Sequence, residues 1–341
     1  MLKGGRLRFF RRYFLPRLAQ YLLVTFIGIN VAFFIPRLFP SDPVLETIGT
    51  IRSQGTYLDP ATVDKFISDL RELYGLEGTI GEQYVDFWKR LFRGDFGISL
   101  FQFPEPVLSL IGKAIPWTVG LLLTSTFLSW LFGLVIGGIA GYYPNRLWVR
   151  ALDAVSMLVR PLPYYIFAFI LLIIFAYVVP WFPLGGGSSI GWRPELSFRF
   201  FADVIRHAFL PFISLTLLGT AAMYQMTKLV VQNINAEDFV QYAQLGGVKG
   251  RAIISKYVLR NAMLPLFTNL VLSLGQIFGG ALITEIVFSY PGLGTLTYHA
   301  VVSGDYNLIL GVTTISVVAV TTCIFLADLV YPLLDPRVRY R

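Results

Sequence analysis

The sequence predicts an all-α polytopic membrane protein with six transmembrane helices and an additional helical segment outside the membrane between the first and second. Three observations carry this prediction. The 341 residues are 55% hydrophobic and 14% charged, with a mean hydropathy of +0.64, far more apolar than a soluble domain of that length. Six windows hold no Asp, Glu, Lys or Arg: Leu18–Pro36, Ala114–Asn145, Pro161–Trp192, His207–Thr227, Asn261–Thr284 and Tyr306–Ala327. Each reaches roughly the 20 residues that cross about 30 Å of hydrocarbon as a helix. None alternates polar and apolar residues at every second position, as barrel strands do.

Composition also excludes several chemistries. One cysteine (Cys323) and two histidines (His207, His299) cannot assemble a metal cluster, a Cys-His nucleophile pair or a disulfide, so no catalytic or metal-binding residues are assigned. Cys323, inside the last window, reads as a small buried hydrophobe. No G-x-x-x-x-G-K-[ST] loop is present, so this chain does not cradle ATP phosphates in that way. The net charge of +8 comes from basic residues beside the windows, which indicates membrane topology and not nucleic-acid contact.

Taken in order, residues 1–17 carry six basic residues, from Lys3 to Arg17, and no acid. The apolar run behind them is too long for a signal peptide and is followed by no small-residue cleavage site, so 18–38 reads as a retained first span. Phe9, Phe10, Tyr13 and Phe14 predict an interfacial lead-in helix. The positive-inside rule puts the N-terminus in the cytoplasm.

Residues 39–113 then lie outside. Pro60 opens a helix whose apolar stripe is Val63, Phe66, Ile67, Leu70 and Tyr74. Inserting its charged residues would cost more than about 10 kcal/mol, so it lies on a surface. Thr79-x-x-Glu82 is a capping box for a second helix with Tyr84, Phe87, Trp88 and Leu91 on one face. These aromatic-rich segments suit contact with peptides or sugars.

Residues 114–334 form the core, with spans two to six. Arg146 and Arg150 mark the connection between spans two and three as cytoplasmic, and Trp181 and Trp192 suit an interface belt. Span five carries Asn269, Ser273, Gln276, Gly280 and Thr284 at successive steps of three or four, a continuous polar or small face. Two readings fit it: the lining of a wet pathway, or tight helix packing through small residues. Thr216, Thr220 and Thr227 in span four pose the same choice. Glu285 and Asp328, near span ends, read as structural, and His207 as an interface anchor. Arg337, Arg339 and Arg341 return the tail, 335–341, to the cytoplasm.

The longest polar interruption on the basic side is 233–262, within the stretch NAEDFVQYAQLGGVKGRAIISKYVLRNAMLP from Asn235 to Pro265. It reads as a helix, a Gly-Gly break and a second helix. Asn235 is the expected N-cap, with Glu237 and Asp238 in the first turn. Phe239, Tyr242 and Ala243 make one small apolar face, and Gly246 and Gly247 end the helix. Beyond the break, Ile254, Tyr257 and Val258 are expected on one side. Such a stretch is either an interfacial loop or a surface offered to a soluble partner.

The spacing A-x-x-x-G at Ala243 and Gly247, with Leu264-Pro265 further on, resembles the EAA loop of permease subunits of ABC importers. EDFVQYAQLGG and RNAMLP are similar to the oligopeptide/dipeptide branch, as are FPSDP (39–43), YGLEG (74–78), RGDFGISL (93–100) and TEIVFSYPGLG (284–294). Two positions depart: Gln241 stands where the family has Glu, which withdraws any ion pair through that residue, and Ser41 where Gly is usual.

The resemblance implies a type I importer permease in a prokaryotic plasma (inner) membrane, with both termini cytoplasmic. Asp238, Phe239, Gln241, Tyr242, Ala243, Gly246, Gly247, Leu264 and Pro265 would couple it to ATPases. Thr216, Thr220, Asn269, Ser273, Gln276 and Thr284 are the candidates for the pathway. Implied partners are a paralogous second permease, two ATP-binding subunits that hold ATP and Mg, an extracytoplasmic solute-binding protein and membrane lipid. The cargo implied is oligopeptides or dipeptides, with oligosaccharides as the alternative. An integral membrane enzyme would need convergent His, Cys or acidic side chains, and a stand-alone secondary transporter a repeated pair of broken spans; neither pattern is found.

Overall fold

The computed structural model describes residues 10–38, 44–45, 49, 60–191, 197–275, 277 and 281–334. Their regular structure is helical, with one isolated antiparallel bridge between Ile98 and Pro106. In chain order the helices are α1 (Leu15–Leu38), α2 (Pro60–Tyr74), α3 (Ile80–Phe92), α4 (Val107–Tyr142), α5 (Leu147–Val159) and α6 (Tyr164–Leu172). They continue as α7 (Phe198–Asn235), α8 (Asp238–Leu245), α9 (Gly250–Gly275), α10 (Leu282–Val287), α11 (Leu293–Val302) and α12 (Tyr306–Leu334). By length and composition α1, α4, α7, α9 and α12 can each cross a membrane, and α5–α6 makes a sixth span if the bent pair is counted as one.

The predicted boundaries change at four places. The aromatic lead-in is not a separate helix: Phe10–Phe14 is a π-turn that runs straight into α1. The connection carrying Arg150 is itself a helix, α5, set at 97° to α6 and its π-extension (Ile173–Val178). Pro161 and Pro163 explain the bend, since each lacks an N–H and disfavours helical backbone in the residue before it. The described helix of span five runs to Gly275 and Thr284 belongs to the separate short helix α10, so Asn269 and Thr284 do not share one helical face. Gln276 and Gly280 lie outside the described residues. Finally, in α9 the buried pair is Ile253 and Val258, while Tyr257 is exposed. A π-turn over Ile253–Val258 explains this, because i→i+5 bonding brings residues five apart onto one side.

The centre of the fold is the α4–α7 pair. Ser125, Ser129, Gly133, Gly137 and Gly141 recur every fourth residue of α4, and all are buried. A Cβ on Gly137 would stand 2.7 Å from the Tyr224 carbonyl oxygen, and one on Gly141 2.7 Å from Val231 Cβ. The two helices therefore approach to backbone contact, the arrangement small residues permit where lipid offers no hydrophobic drive between helices. Polar side chains add bonds across the pair. Ser129 Oγ donates to the Thr216 carbonyl (3.0 Å), and Trp130 Nε1 to the Leu266 carbonyl of α9 (2.9 Å).

α1 runs antiparallel to α12. Arg17 pairs with Asp328 (3.1 Å), Tyr21 and Thr25 bond Thr322 and Thr321 (3.2 and 2.9 Å), and Tyr306 Oη donates to the Pro36 carbonyl (3.2 Å). The start of α1 and the end of α12 thus lie at the same end of the molecule. At the other end, α2 packs Val63, Leu70 and Tyr74 with Val44 and Tyr306, while Phe66 is exposed. The Thr79–Glu82 capping box is formed in both directions. The face of α3 does not wait for a ligand: Tyr84, Phe87 and Trp88 pack against Phe26, Phe33 and Phe34 of α1, and Tyr84 Oη donates to Asn30 Oδ1 (2.7 Å).

Candidate functional site

Two features stand out, the exposed helix α8 and a cavity between the spans. α8 begins one turn after α7 ends. Asn235 is not its N-cap. It is still the last residue of α7, its Oδ1 accepting from Gln244 Nε2 (3.4 Å), and Glu237 takes the N-cap position with extended backbone and no side-chain cap bond. Asp238 sits in the first turn, where a carboxylate complements the exposed N–H groups.

At the other end Gly247 adopts φ +72°, Val248 N–H donates to the Ala243 carbonyl (3.1 Å), and Gly247 N–H to that of Gln244 (3.0 Å). This pair of bonds satisfies the last carbonyls of the helix and requires the left-handed residue that glycine supplies.

The exposed and anchored sides of α8 differ from the sequence reading. Val240, fully buried, fixes the helix among Val231, Ile253 and Val258, and Ala243 packs against the same cluster. Ala243 therefore belongs to the anchored side. Phe239, Tyr242 and Leu245 project outward, 42%, 73% and 84% exposed. Gln241 is exposed as well, and its Nε2 donates to the Ala236 carbonyl across the α7–α8 turn (3.0 Å). Leu264 and Pro265 lie within α9, about 21 Å along it from Gly250 at 1.5 Å per residue, and take no part in the α8 surface.

The cavity, about 1300 Å³, lies between α4, α5, α6, α7, α9 and the start of α10. Its polar lining is mostly neutral: Ser125, Thr126 and Ser129 from α4, Gln225 and Gln232 from α7, Asn269 and Ser273 from α9, and Thr284 from α10. Its charged lining residues, Asp153, Arg160 and Lys228, gather toward the end nearer α8 and are bonded locally. Asp153 Oδ2 accepts from Lys228 Nζ (2.5 Å) and Oδ1 from Tyr224 Oη (2.8 Å), while Arg160 Nη1 donates to Gln225 Oε1 (2.7 Å).

Of the residues expected along a pathway, Asn269, Ser273 and Thr284 line the cavity. Thr216 and Thr220 do not. Neither is among the lining residues, and both enclosed hydroxyls have no hydrogen-bond partner among the described residues, on the side of α7 that packs against the small-residue stripe of α4.

Residues 133–340 match the family described as binding-protein-dependent transport system inner membrane component. This chain belongs to that family. Similarity extends beyond the matched region. The chain is 30% identical over 315 residues to the oligopeptide transport system permease protein AppB of Bacillus subtilis (strain 168), covering 92% of this chain and 95% of that protein. It is 29% identical to the oligopeptide transport system permease protein OppB of Haemophilus influenzae, and 28% identical to the di/tripeptide transport system permease protein DppB of Pseudomonas aeruginosa; each covers 96% of this chain and 99% of the relative. The chain is thus a multi-pass permease component of a binding-protein-dependent transport system.

Three features of this permease escape sequence reasoning. Asp153 is the one acid between Glu105 and Glu195, and Lys228 closes the charge-free window His207–Thr227, a signal that points to their pairing. Leu245 completes the exposed side of α8 with Tyr242, three residues before it. Glu285 is fully buried, not snorkelling from a span end, and accepts hydrogen bonds from Thr118 and from the backbone of α11.

Proposed function

We propose that this permease forms half of the translocation pathway of an ATP-driven importer of oligopeptides or dipeptides handed over by an extracytoplasmic solute-binding protein. The observation that carries the reading is α8. Phe239, Tyr242 and Leu245 project from a helix pinned from behind by Val240 and held at its end by the Gly247 turn. A rigid apolar projection of this kind suits a groove on a soluble subunit, where aromatic anchors supply most of the binding energy. Two ATP-binding subunits are the intended occupants, carrying ATP and Mg because this chain has no phosphate loop. Asp238, Gln241, Gly246 and Gly247 shape that surface without forming its apolar centre.

α8 and both chain ends then face the cytoplasm, in agreement with Arg146, Arg150, Lys249, Arg251, Lys256 and Arg260 on the same side. A paralogous permease covers the open side of the cavity. Asn269, Ser273 and Thr284, with the serines of α4, offer uncharged hydrogen-bonding groups, which suits cargo that varies in side-chain charge but always carries amide groups. The relatives' names support peptide cargo over oligosaccharides. Tyr84, Phe87 and Trp88 of α3 lend sugars no support, because they pack against α1.

The test is binding-protein-stimulated ATP hydrolysis by the assembled complex in proteoliposomes. Peptides of two to several residues are expected to stimulate it and to accumulate inside, and cello- or xylo-oligosaccharides are not. Stimulation by the sugars alone would reject the peptide reading, and robust ATPase activity in the lone chain would reject the division of labour.

A further inference from the structure

The end of the cavity remote from α8 is lined by Ala281–Thr284, the start of a compact unit made of α10, a turn and α11. Two independent clamps hold this unit. The first is Glu285, buried completely and without an ion pair among the described residues. Its Oε1 accepts from Thr118 Oγ1 of α4 (2.8 Å), and its Oε2 from the N–H groups of Gly294 (2.7 Å) and Thr295 (3.2 Å). Thr118 Oγ1 in turn accepts from Leu293 N–H (2.7 Å). Gly292, the N-cap of α11, has no side chain to do this, and any Cβ there would collide with Glu285 and Thr118. One carboxylate and one hydroxyl thus cap α11 and tie both short helices to α4.

The second clamp is the Gly-Gly-Gly loop after α6. Gly186 N–H donates to the Phe288 carbonyl (2.9 Å). A Cβ on Gly185 would stand 2.7 Å from that oxygen, and one on Gly187 2.7 Å from Pro291 Cγ and 2.9 Å from Trp117. Trp117 also meets Tyr290 edge-on, with ring centroids 5.6 Å apart. The loop is seated against the turn because its three residues have nothing to obstruct it.

We propose that residues 281–295 are the plug sealing the pathway on the side away from α8, with Glu285 and Thr118 as the clasp that sets how often it opens. The inference rests on the cavity being the pathway. Glu285 is a positioning residue: it touches no cargo and acts by holding α10 and α11 on α4. A buried carboxylate without a cation is costly unless its oxygens are satisfied, so the clasp is stable closed and sensitive to the loss of any one donor.

Sidedness of labelling tests this in the assembled complex, in vesicles of both orientations, with Ser273→Cys as reporter in a Cys323→Ala background and a charged, membrane-impermeant thiosulfonate as probe. With the clasp intact, the probe is expected to react from the α8 side only. Thr118→Val, which keeps the carboxylate and its backbone bonds, is expected to raise labelling from the opposite side about tenfold through the loss of a hydrogen bond to a charged group. Glu285→Ala should raise it further, and Thr118→Ser should restore the sealed pattern, which a general packing defect would not allow. If Glu285→Ala fails to insert, Thr118→Val carries the test. Opposite-side labelling unchanged by Thr118→Val, or equal from both sides with the clasp intact, overturns the proposal. Failure of the pathway reading shows separately, as a clasp-intact complex whose ATP hydrolysis no binding protein stimulates.

Discussion

Gly247 shows how much a single residue decides in α8. Its φ of +72° is required by the two backbone bonds that finish the helix, and a β-branched residue there pays steric strain of about 1–2 kcal/mol. Gly247→Val is expected to leave insertion intact, because the spans are untouched. It should shift the direction in which Tyr242 and Leu245 project, lowering binding-protein-stimulated ATP hydrolysis and uptake together, while exposed Lys249→Ala changes neither. Uptake at the unmodified rate by Gly247→Val would show that α8 does not transmit the signal. Ala243 calls for a different expectation from the one its spacing suggests. It sits on the anchored side, so Ala243→Glu should loosen α8 from Val231 and Ile253 before any partner is met.

At the scale of elements, the α4–α7 contact and the α5–α7 tie are separable. Gly137→Ala places a methyl group against the backbone of α7 and is expected to destabilise the protein by about 1–3 kcal/mol, as overpacking does. Gly120→Ala, in the same helix with nothing within 4 Å of the added carbon, should instead be neutral or stabilising by up to about 1 kcal/mol. Thermal unfolding in detergent distinguishes the two, and equal shifts would mean that the close approach is not maintained. α5 is held to α7 by Asp153, whose carboxylate bonds both Lys228 and Tyr224. Asp153→Ala leaves the Lys228 charge largely buried without its partner, at a cost of about 2–3 kcal/mol. Adding Lys228→Met should recover most of that loss; no recovery would assign the effect to packing of α5 and not to charge.

For the whole molecule, the α1–α12 pairing already puts the start of α1 and the end of α12 at one end, and α8 lies at the end of α7 beside the α5 connection. The basic loops turn this arrangement into a direction. In intact cells carrying Cys323→Ala, a cysteine at Asp69 is expected to react with an impermeant thiol reagent from outside, and one at Arg251 only after permeabilisation. The reverse pattern would invert the topology and with it the assignment of α8 to the cytoplasm. The plug and α8 would still sit at opposite ends of the cavity, because that relation rests on the course of α7 and α9 alone.

What was legible in the sequence is what local physics decides. Charge-free windows marked the apolar spans because a charge is expensive in hydrocarbon wherever it falls. Thr79–Glu82 and Gly246–Gly247 marked helix ends because caps and left-handed turns are settled within a few residues. The tertiary structure alone decided which way each polar row turns. Thr216 and Thr220 look like Asn269 and Ser273 in sequence, yet one pair is enclosed against α4 and the other opens on the cavity, since a hydroxyl in a span tolerates either a neighbouring helix or water. It also decided that Thr284 lies on a helix separate from α9, because an uncharged run does not mark where a helix ends. Likewise it turned Glu285 inward, where Thr118 of α4, remote in sequence, joins the nearby backbone of α11 in satisfying its oxygens.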